Sequence, residues 1–408
     1  MAQPKLRIKG FEGEWKTNLL GNVSSSYSGG TPIVGERSYY GGNIPFIRSG
    51  EIHNDKTELY ITELGLSSSS AKMVEKGTLL YALYGATSGE VDISKIKGAI
   101  NQAILAIIPD ENICKYFLNY LLQTKKNHIV GSLIQGGQGN LSGALLKNYN
   151  IVYPENKKEQ EKLANYLKSL DSLIQATTKK IESLKQLKSA SLVSMFPQSN
   201  EKAPRVRFKG FEGEWTECSF GKIGKTYSGL TGKCKEDFGI GDARYITFLN
   251  VLTNAQINTT LLEHVNVQKG EHQNEVRKGD MFFNTSSETP EEVGMCAVVN
   301  EELSNVYLNS FCFGFRLSNE NINPLYIAYL MRSPIGRKIM MILAQGATRY
   351  NLSKSCLYKA IVPIPETKTE QDKIANYLSS LDSQISIQEH RLEKLKQIKA
   401  ACLEKMFV

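Results

Sequence analysis

The sequence predicts an α/β (α+β) protein built twice, with two globular blocks joined by two long helices that form an antiparallel coiled coil. Three observations predict it. A stretch from Pro154 to Phe196 returns as Pro365 to Phe407, with Glu159-Gln160 answered by Glu370-Gln371, Ala164-Asn165-Tyr166-Leu167 by Ala375-Asn376-Tyr377-Leu378, and Met195-Phe196 by Met406-Phe407. The opening phrase PKLRIKGFEGEW at 4–15 returns as PRVRFKGFEGEW at 204–215. Between these shared segments lie two blocks of short β-rich runs and turns that differ from one another. Matches of this length mark an internal tandem duplication, and the pattern implies pseudo-two-fold symmetry. The organisation is a first globular domain over 1–153, a helix over 154–196, a linker over 197–206, a second globular domain over 207–364 and a second helix over 365–408.

The helices follow from apolar spacing. Leu163, Leu167, Leu170, Ile174, Ile181 and Leu184 fall at steps of four and three in the first copy, with Thr177 in the polar gap. Ile374, Leu378, Leu381, Ile385, Leu392 and Leu395 continue to Cys402 in the second, with Gln388 in its gap. The positions between are mostly Lys, Glu, Gln and Ser, so each helix has one apolar seam and a solvated remainder. Pro154 and Pro365 stand just ahead of the helices and glycine is absent from both. A helix of this size spans roughly 60 Å, too long to wrap into a globular core, so the economical arrangement packs the two seams on each other, the alternative being two separate core helices in ordinary domains.

In the first block, strands are expected at Ile44 to Arg48, Leu79 to Tyr84 and Ala103 to Ile108, and a helix at Cys114 to Gln123. In the second, strands are expected at Arg244 to Leu249, Met281 to Asn284, Cys296 to Val299 and Ser310 to Leu317, with helices at Pro324 to Met331 and Arg337 to Ala344. The halves rejoin at Asn140-Leu141-Ser142 and Asn351-Leu352-Ser353, and the second is eleven residues longer within its variable block. Since Phe196 leads directly to Arg207, the duplication predicts that Phe407 lies beside the opening phrase near Arg7, making the chain nearly circular.

Composition excludes several classes. A net charge of +8 over 408 residues is compatible with a polyanion without requiring one. Seven cysteines form no CxxC pair and none has a histidine at ligand spacing, which fits a reducing cytoplasm better than disulfides or a zinc site. No segment reads as a signal peptide or a membrane span, so a cytoplasmic location is expected. There is no GxxxxGK loop, no dinucleotide fingerprint and no Asn/Asp-Pro-Pro-aromatic tetrad; Asn323-Pro324-Leu325 only begins like one. A nuclease-like set spelled from Pro109-Asp110 and Glu155-Asn156-Lys157 reads as a turn and a helix start.

The stretches GFEGEW at 10–15 and 210–215, SGGTP at 28–32, IPFIRSGEI at 44–52, KGTLLYALYGATSGEV at 76–91 and the helices carrying EQ and ANYL resemble those of the specificity subunits of type I restriction–modification enzymes, over nearly the whole chain. The resemblance implies that each block is a target recognition domain reading one half of a bipartite sequence in double-stranded DNA. It implies helices that act as spacer and dock for two modification (methyltransferase) subunits, with restriction (translocase/nuclease) subunits in the full complex. No cofactor is expected on this chain; S-adenosylmethionine, ATP and Mg are expected on the partners. Two unlike readers on a rod would suit half-sites about 34–36 Å apart, one helical turn, with DNA in a cleft between them.

Candidate DNA contacts follow from side-chain chemistry. In the first block they are Tyr27, Ser28 and Thr31 in a small-residue loop, Arg48 and Ser49 at a strand end, Tyr84 and Thr87 after another strand, and Gln138. Arginine forks onto guanine, Gln and Asn pair with adenine, and hydroxyls and glycine amides suit phosphate. A surface arginine and an ordinary turn are the bland alternatives at Arg48 and at 27–31, and Asn140 reads as a helix cap. In the second block the candidates are Tyr227, Arg244, Thr247, Asn250, Ser286, Ser287, Gln345, Arg349 and Tyr350. Glu288 can accept from cytosine N4 but reads better as a solvated loop residue. Two rivals stand: a self-sufficient restriction enzyme or methyltransferase, which would bind S-adenosylmethionine alone, and a coiled-coil protein adaptor, indifferent to DNA sequence.

Overall fold

A computed structural model describes residues 3–133, 141–198, 200–346 and 348–408. Contacts divide the chain into two compact units, one of residues 1–178 with 390–408 and one of residues 179–389. Each takes a globular block and one end of each long helix, so the units cut across the division by sequence, in which block and helix are separate.

The first unit contains two four-stranded sheets. One has the order Ser24–Ser28, Ile104–Pro109, Leu79–Ala82, Val91–Ile93 and is antiparallel throughout; the other has the order Tyr60–Ile61, Tyr40–Ile47, Gly98–Ile100, Lys72–Val74, with Tyr40–Ile47 and Gly98–Ile100 parallel. The run Leu79-Leu80-Tyr81-Ala82 is apolar without interruption because both of its faces are buried. Leu79, Tyr81, Leu105 and Ile107 enter one core with Phe117 and Leu121 of the helix Lys115–Leu133. Leu80, Ala82, Ile104 and Ala106 enter another with Ile47, Val74 and Ile100.

The second unit repeats this plan with other residues. Its main sheet runs Gly224–Ser228, Cys312–Leu317, Met281–Asn284, Cys296–Val298, and a three-stranded sheet runs Glu263–Val265, Phe238–Ile246, Val306–Leu308. Helices Pro324–Arg332 and Pro334–Leu343 each begin with proline at the first turn, where no hydrogen bond is lost. One expected strand is corrected: Arg244 to Leu249 is strand only as far as Ile246. There Thr247 caps a helix, Phe248–Thr253, by accepting a hydrogen bond from the Asn250 amide at 3.2 Å.

The long helices span Lys157–Ser194 and Lys368–Met406. Their antiparallel packing is present inside each unit. In the first, Asp171 meets Lys399 at 2.5 Å and Tyr166 meets Cys402 at 3.9 Å, while Leu163, Leu167 and Leu170 share a core with Cys402, Met406 and Phe407. In the second, Lys188 meets Asp382 at 2.5 Å and Ser191 meets Tyr377 at 3.4 Å, and Leu184 shares a core with Ile374, Leu378, Leu381 and Ile385. Ile181 and Thr177 are buried as the spacing requires. Ile174, Leu392 and Leu395 are only half-buried.

The shared phrases have a joint physical explanation. Glu159 and Glu370, each 1% exposed, take forked hydrogen bonds from Arg7 (2.8 and 2.8 Å) and Arg207 (2.6 and 2.8 Å) of the two opening phrases. The pairing raises both arginine pKa values. The same guanidinia donate to the carbonyls of Gly13 and Gly213, glycines whose φ of 88° and 81° disfavours other residues. Gln160 accepts from the Cys114 amide and donates to the carbonyls of Asn112 and Pro154; Gln371 does the same with Asn323, Asn321 and Pro365. The repeated Glu-Gln thus ties the opening phrase and the preceding block to the helix start.

The C-terminal end meets the opening phrase, as the duplication predicts. The Leu6 amide donates to Lys405 carbonyl at 2.8 Å, and the corresponding bond in the other half joins Val206 to Ser194 at 2.9 Å. Phe407 packs on Phe117, which touches Trp15, as Phe196 packs on Tyr326 and Trp215.

Two predictions test this frame. Glu370→Gln leaves Arg207 half-buried without its carboxylate and lowers unfolding stability by about 2 kcal/mol in urea denaturation, whereas Glu214→Gln, in an exposed pair with Lys202, leaves the midpoint unchanged. A permutant joined from Val408 to Pro4 by a short linker and opened within 197–203 retains the circular-dichroism spectrum and cooperative melting of the parent.

Candidate nucleic-acid interface

The candidate residues of the first unit gather around the short segment 101–104 through strand register. Ser28 pairs with Leu105, Ile47 with Ile100 and Ala82 with Ile104, so the chain leaves these strands on one side of the domain at Gly29, Arg48 and Leu83. The Leu83 amide donates to Ala103 carbonyl at 2.8 Å, and Thr31 Oγ1 donates to Gln102 Oε1 at 2.6 Å. The glycine of the Ser-Gly step is required here, because a Cβ on Gly29 would collide with the Ile100 carbonyl. The second unit builds the same arrangement around 309–311. Ser228 pairs with Phe313, Ile246 with Leu308 and Asn284 with Cys312; Thr285 donates its amide to Phe311 carbonyl at 3.0 Å, and Gly229 is pressed against the Asn309 carbonyl. Asn101 and Asn309 hold the two turns alike, accepting from the amides of Ala103 (3.1 Å) and Phe311 (2.8 Å).

Several candidates keep an accessible place at these ends. Tyr27 is 38% exposed with its hydroxyl donating to Met73 carbonyl. Ser28, Ser49 and Thr87 are half-buried at strand ends, and Thr31 is exposed. Tyr84 opens the turn Gly85–Thr87 and lies partly against the first core. Arg244 is exposed opposite His264, and Gln345 and Arg349 are exposed near the short ladder in which Tyr350 faces Ser287. Gln138, with Asn140, lies outside the described residues.

Others are already engaged within the protein. Arg48 binds Glu51 through Nε (3.1 Å) and Nη2 (2.9 Å) and Glu58 through Nη2 (2.7 Å), so its guanidinium is an anchor for the loop before it is a fork for guanine. Asn250 is 1% exposed and its amide braces the following turn, donating to Asn258 carbonyl and accepting from its N–H. Thr247 spends its oxygen on the helix cap. Tyr227 donates to Asp280 at 2.7 Å beneath the Arg316 guanidinium, and burial drives its pKa far up. Ser286 is buried in the ladder with Asn351, and Ser287 donates to Glu292. Most of these side chains are satisfied within about ten residues of themselves, at Arg48, Thr247, Asn250 and Ser287, whereas Tyr227 reaches Asp280 from a distant segment. The nuclease-like set is likewise scattered into local contacts, Glu155 with Lys16 and Lys157 with the Glu111 carbonyl.

Sequence reasoning passed over Gln102, Leu249 and Phe311, all exposed at these ends. The one available signal was the asparagine two residues ahead of the turn's exit in both halves, in Asn101-Gln102-Ala103 and Asn309-Ser310-Phe311. No cluster of three or more metal-ligating side chains occurs among the described residues, and no helix there is long and apolar enough to cross a membrane.

Glu51 gives these loops a pH dependence. Burial raises the pKa of its carboxyl, but hydrogen bonds from the Arg48 side chain, the amides of Glu58 and Arg48, and Thr57 outweigh burial and hold it at about 2. A depressed carboxyl contributes stability above its ordinary value near 4.5 and loses it as pH falls toward 2. Glu51→Gln therefore destabilises the protein by on the order of 2 kcal/mol at neutral pH, with the difference from wild type vanishing by about pH 2 in urea titrations.

A family model, the type I restriction modification DNA specificity domain, matches the chain twice, over residues 12–186 and 213–397. The specificity subunit of the type I restriction enzyme MjaIX from Methanocaldococcus jannaschii is 31% identical over 182 residues, 43% of this chain and 42% of that one. That of EcoR124I/EcoR124II from Escherichia coli is 27% identical over 182 residues, 42% of this chain and 44% of that one. The chain thus spans less than half the length of these curated relatives. In fold it is similar to the S subunit of a type I restriction-modification system from M. genitalium, with a TM-score of 0.64 over 100% of this chain and 99% of that one at 16% identity. One family match per globular block, each running on into its helix, covers most of the sequence, and the chain belongs to the type I restriction modification DNA specificity domain family.

Proposed function

We propose that this chain is the sequence-reading, non-catalytic subunit of a type I restriction–modification complex, in which each globular unit reads one half of a bipartite site in double-stranded DNA. The observation that carries this reading is the contrast between frame and ends. The frame contacts are made twice with the same residues, down to Arg7–Glu159 and Arg207–Glu370, whereas the strand ends around 101–104 and 309–311 present different side chains. A duplicated frame suits two copies of one partner, and the helices' solvated faces are the proposed dock for two modification subunits. Restriction subunits complete the assembly, which works in the cytoplasm. S-adenosylmethionine, ATP and magnesium belong on those partners in this reading, and the chain's own part is to bind and orient DNA.

The test is methylation mapping of a genome in cells with and without this chain, alongside its modification partners. The expected result is a bipartite motif that appears only with the chain, and Arg349→Ala should alter the bases methylated at one half-site and leave the other as it was. A motif that persists without the chain, or an Arg349→Ala effect equal on all DNA, would count against the reading or mark Arg349 as a phosphate contact respectively.

A further inference from the structure

Strand register places a pocket at the equivalent site of each unit, just beyond Ile47 in the first and Ile246 in the second, and the two pockets are lined by different residue types. In the first unit the cavity, about 630 Å³, is lined by charged and polar residues that include Arg48, Glu51, Lys56 and Glu58, whose aliphatic stems contribute apolar surface as well. In the second it is an open cup of about 360 Å³ walled by Phe238, Tyr245, Phe248, Leu249 and Phe311, with Thr247 and Glu263 on its rim.

Phe311 is 62% exposed and Leu249 66%. The backbone of Phe311 is nevertheless fixed. Its amide donates to Asn309 Oδ1 at 2.8 Å, and its carbonyl accepts from the Thr285 amide at 3.0 Å and the Thr285 hydroxyl at 2.8 Å. Ala103 occupies the corresponding place in the first unit with the same pair of backbone bonds and is buried. The two halves therefore hold one turn in one geometry and differ in what projects from it: a methyl group in the first, an exposed ring in the second. A rigidly presented aromatic beside a second exposed apolar side chain marks a binding surface more than a folding contact.

The charge on the rim selects the part of DNA that fits. Glu263, held by the Tyr245 hydroxyl at 2.7 Å, sets a carboxylate at the cup's edge, which repels phosphate and leaves the base edges as the compatible surface. Of these, the C5-methyl of thymine is the apolar group displayed in the major groove, and phenylalanine is one of the side chains that read it. Resting on the function proposed above, we infer that the Phe311–Leu249 cup reads a thymine methyl group in one half-site.

The test uses the full chain assembled with its modification partners and duplexes carrying the mapped target, with each thymine in turn replaced by deoxyuridine. Removal of the methyl at one position should weaken wild-type binding about fourfold, the factor for burying one such group. Phe311→Ala should bind the thymine and deoxyuridine duplexes alike at that position, while Phe311→Leu retains part of the preference. Because Phe311 is exposed, both variants should melt with the parent. The inference is overturned if no thymine responds, if Phe311→Ala keeps the full preference, or if Phe311→Ala fails to assemble with the modification partners while the parent's methyl preference is absent. A wild-type complex that binds unrelated duplexes as tightly as its target instead overturns the reading of the chain as a sequence reader, and the inference with it.

Discussion

Neither unit can cover its apolar seam with its own stretch of sequence. Leu163, Leu167 and Leu170 are buried by Cys402, Met406 and Phe407 from the far end of the chain, and Ile374, Leu378 and Leu381 by Leu184 and its neighbours. A fully buried leucine contributes about 2 kcal/mol over its exposed state, so several such residues per unit are comparable to the whole net stability of an ordinary domain. Each unit thus encloses residues brought in by the other helix. The nearly circular path of the chain, the meeting of Leu6 with Lys405 and the antiparallel sense of the helices accompany that exchange.

Polar groups then fix the register that apolar packing leaves loose. Asp171 is held by Lys399 and by the Tyr120 hydroxyl at 2.6 Å, and Asp382 by Lys188 and the Tyr329 hydroxyl at 2.8 Å. Each trio joins both helices to a helix of the globular block, and a slip by one turn would separate all three groups. Glu159-Gln160 and Glu370-Gln371 do the same at the helix starts, where their burial makes an unmatched carboxylate or amide costly. The repeated Glu, Gln and Asp side chains are thus ones whose partners come from other segments of the chain.

That arrangement explains what could be read in the sequence. Leu163, Ile181, Leu378 and Ile385 were legible because helical periodicity is local, and Glu-Gln was legible as a repeat, although its role as a tie became visible only with Arg7 and Arg207 opposite it. The strand ends were legible as a region, since Ser28, Arg48, Tyr84 and their counterparts do border the turns at 101–104 and 309–311. Individual side chains there were not. Asn250 and Tyr227 have the chemistry of readers, and only Asn258 and Asp280, brought near by folding, reveal that chemistry as already engaged. Likewise the run from Arg244 to Leu249 has strand composition throughout, but Thr247 satisfies a helix amide and turns the chain.

The separation of frame from ends also bears on how, in the proposed function, such a chain could change its target. Side chains that project from the turns at Ala103 and Phe311 leave the backbone bonds of those turns the same, because Asn101 and Asn309 supply the acceptor and the neighbouring strand supplies the donor. A substitution at exposed Phe311 alters the surface without opening a cavity in the core, whereas one at Glu370, Gln371 or Leu378 breaks contacts with several segments at once. Side-chain chemistry is therefore free to diverge where the fold has least at stake, and the ring at 311 against the methyl at 103 is that divergence in its smallest form.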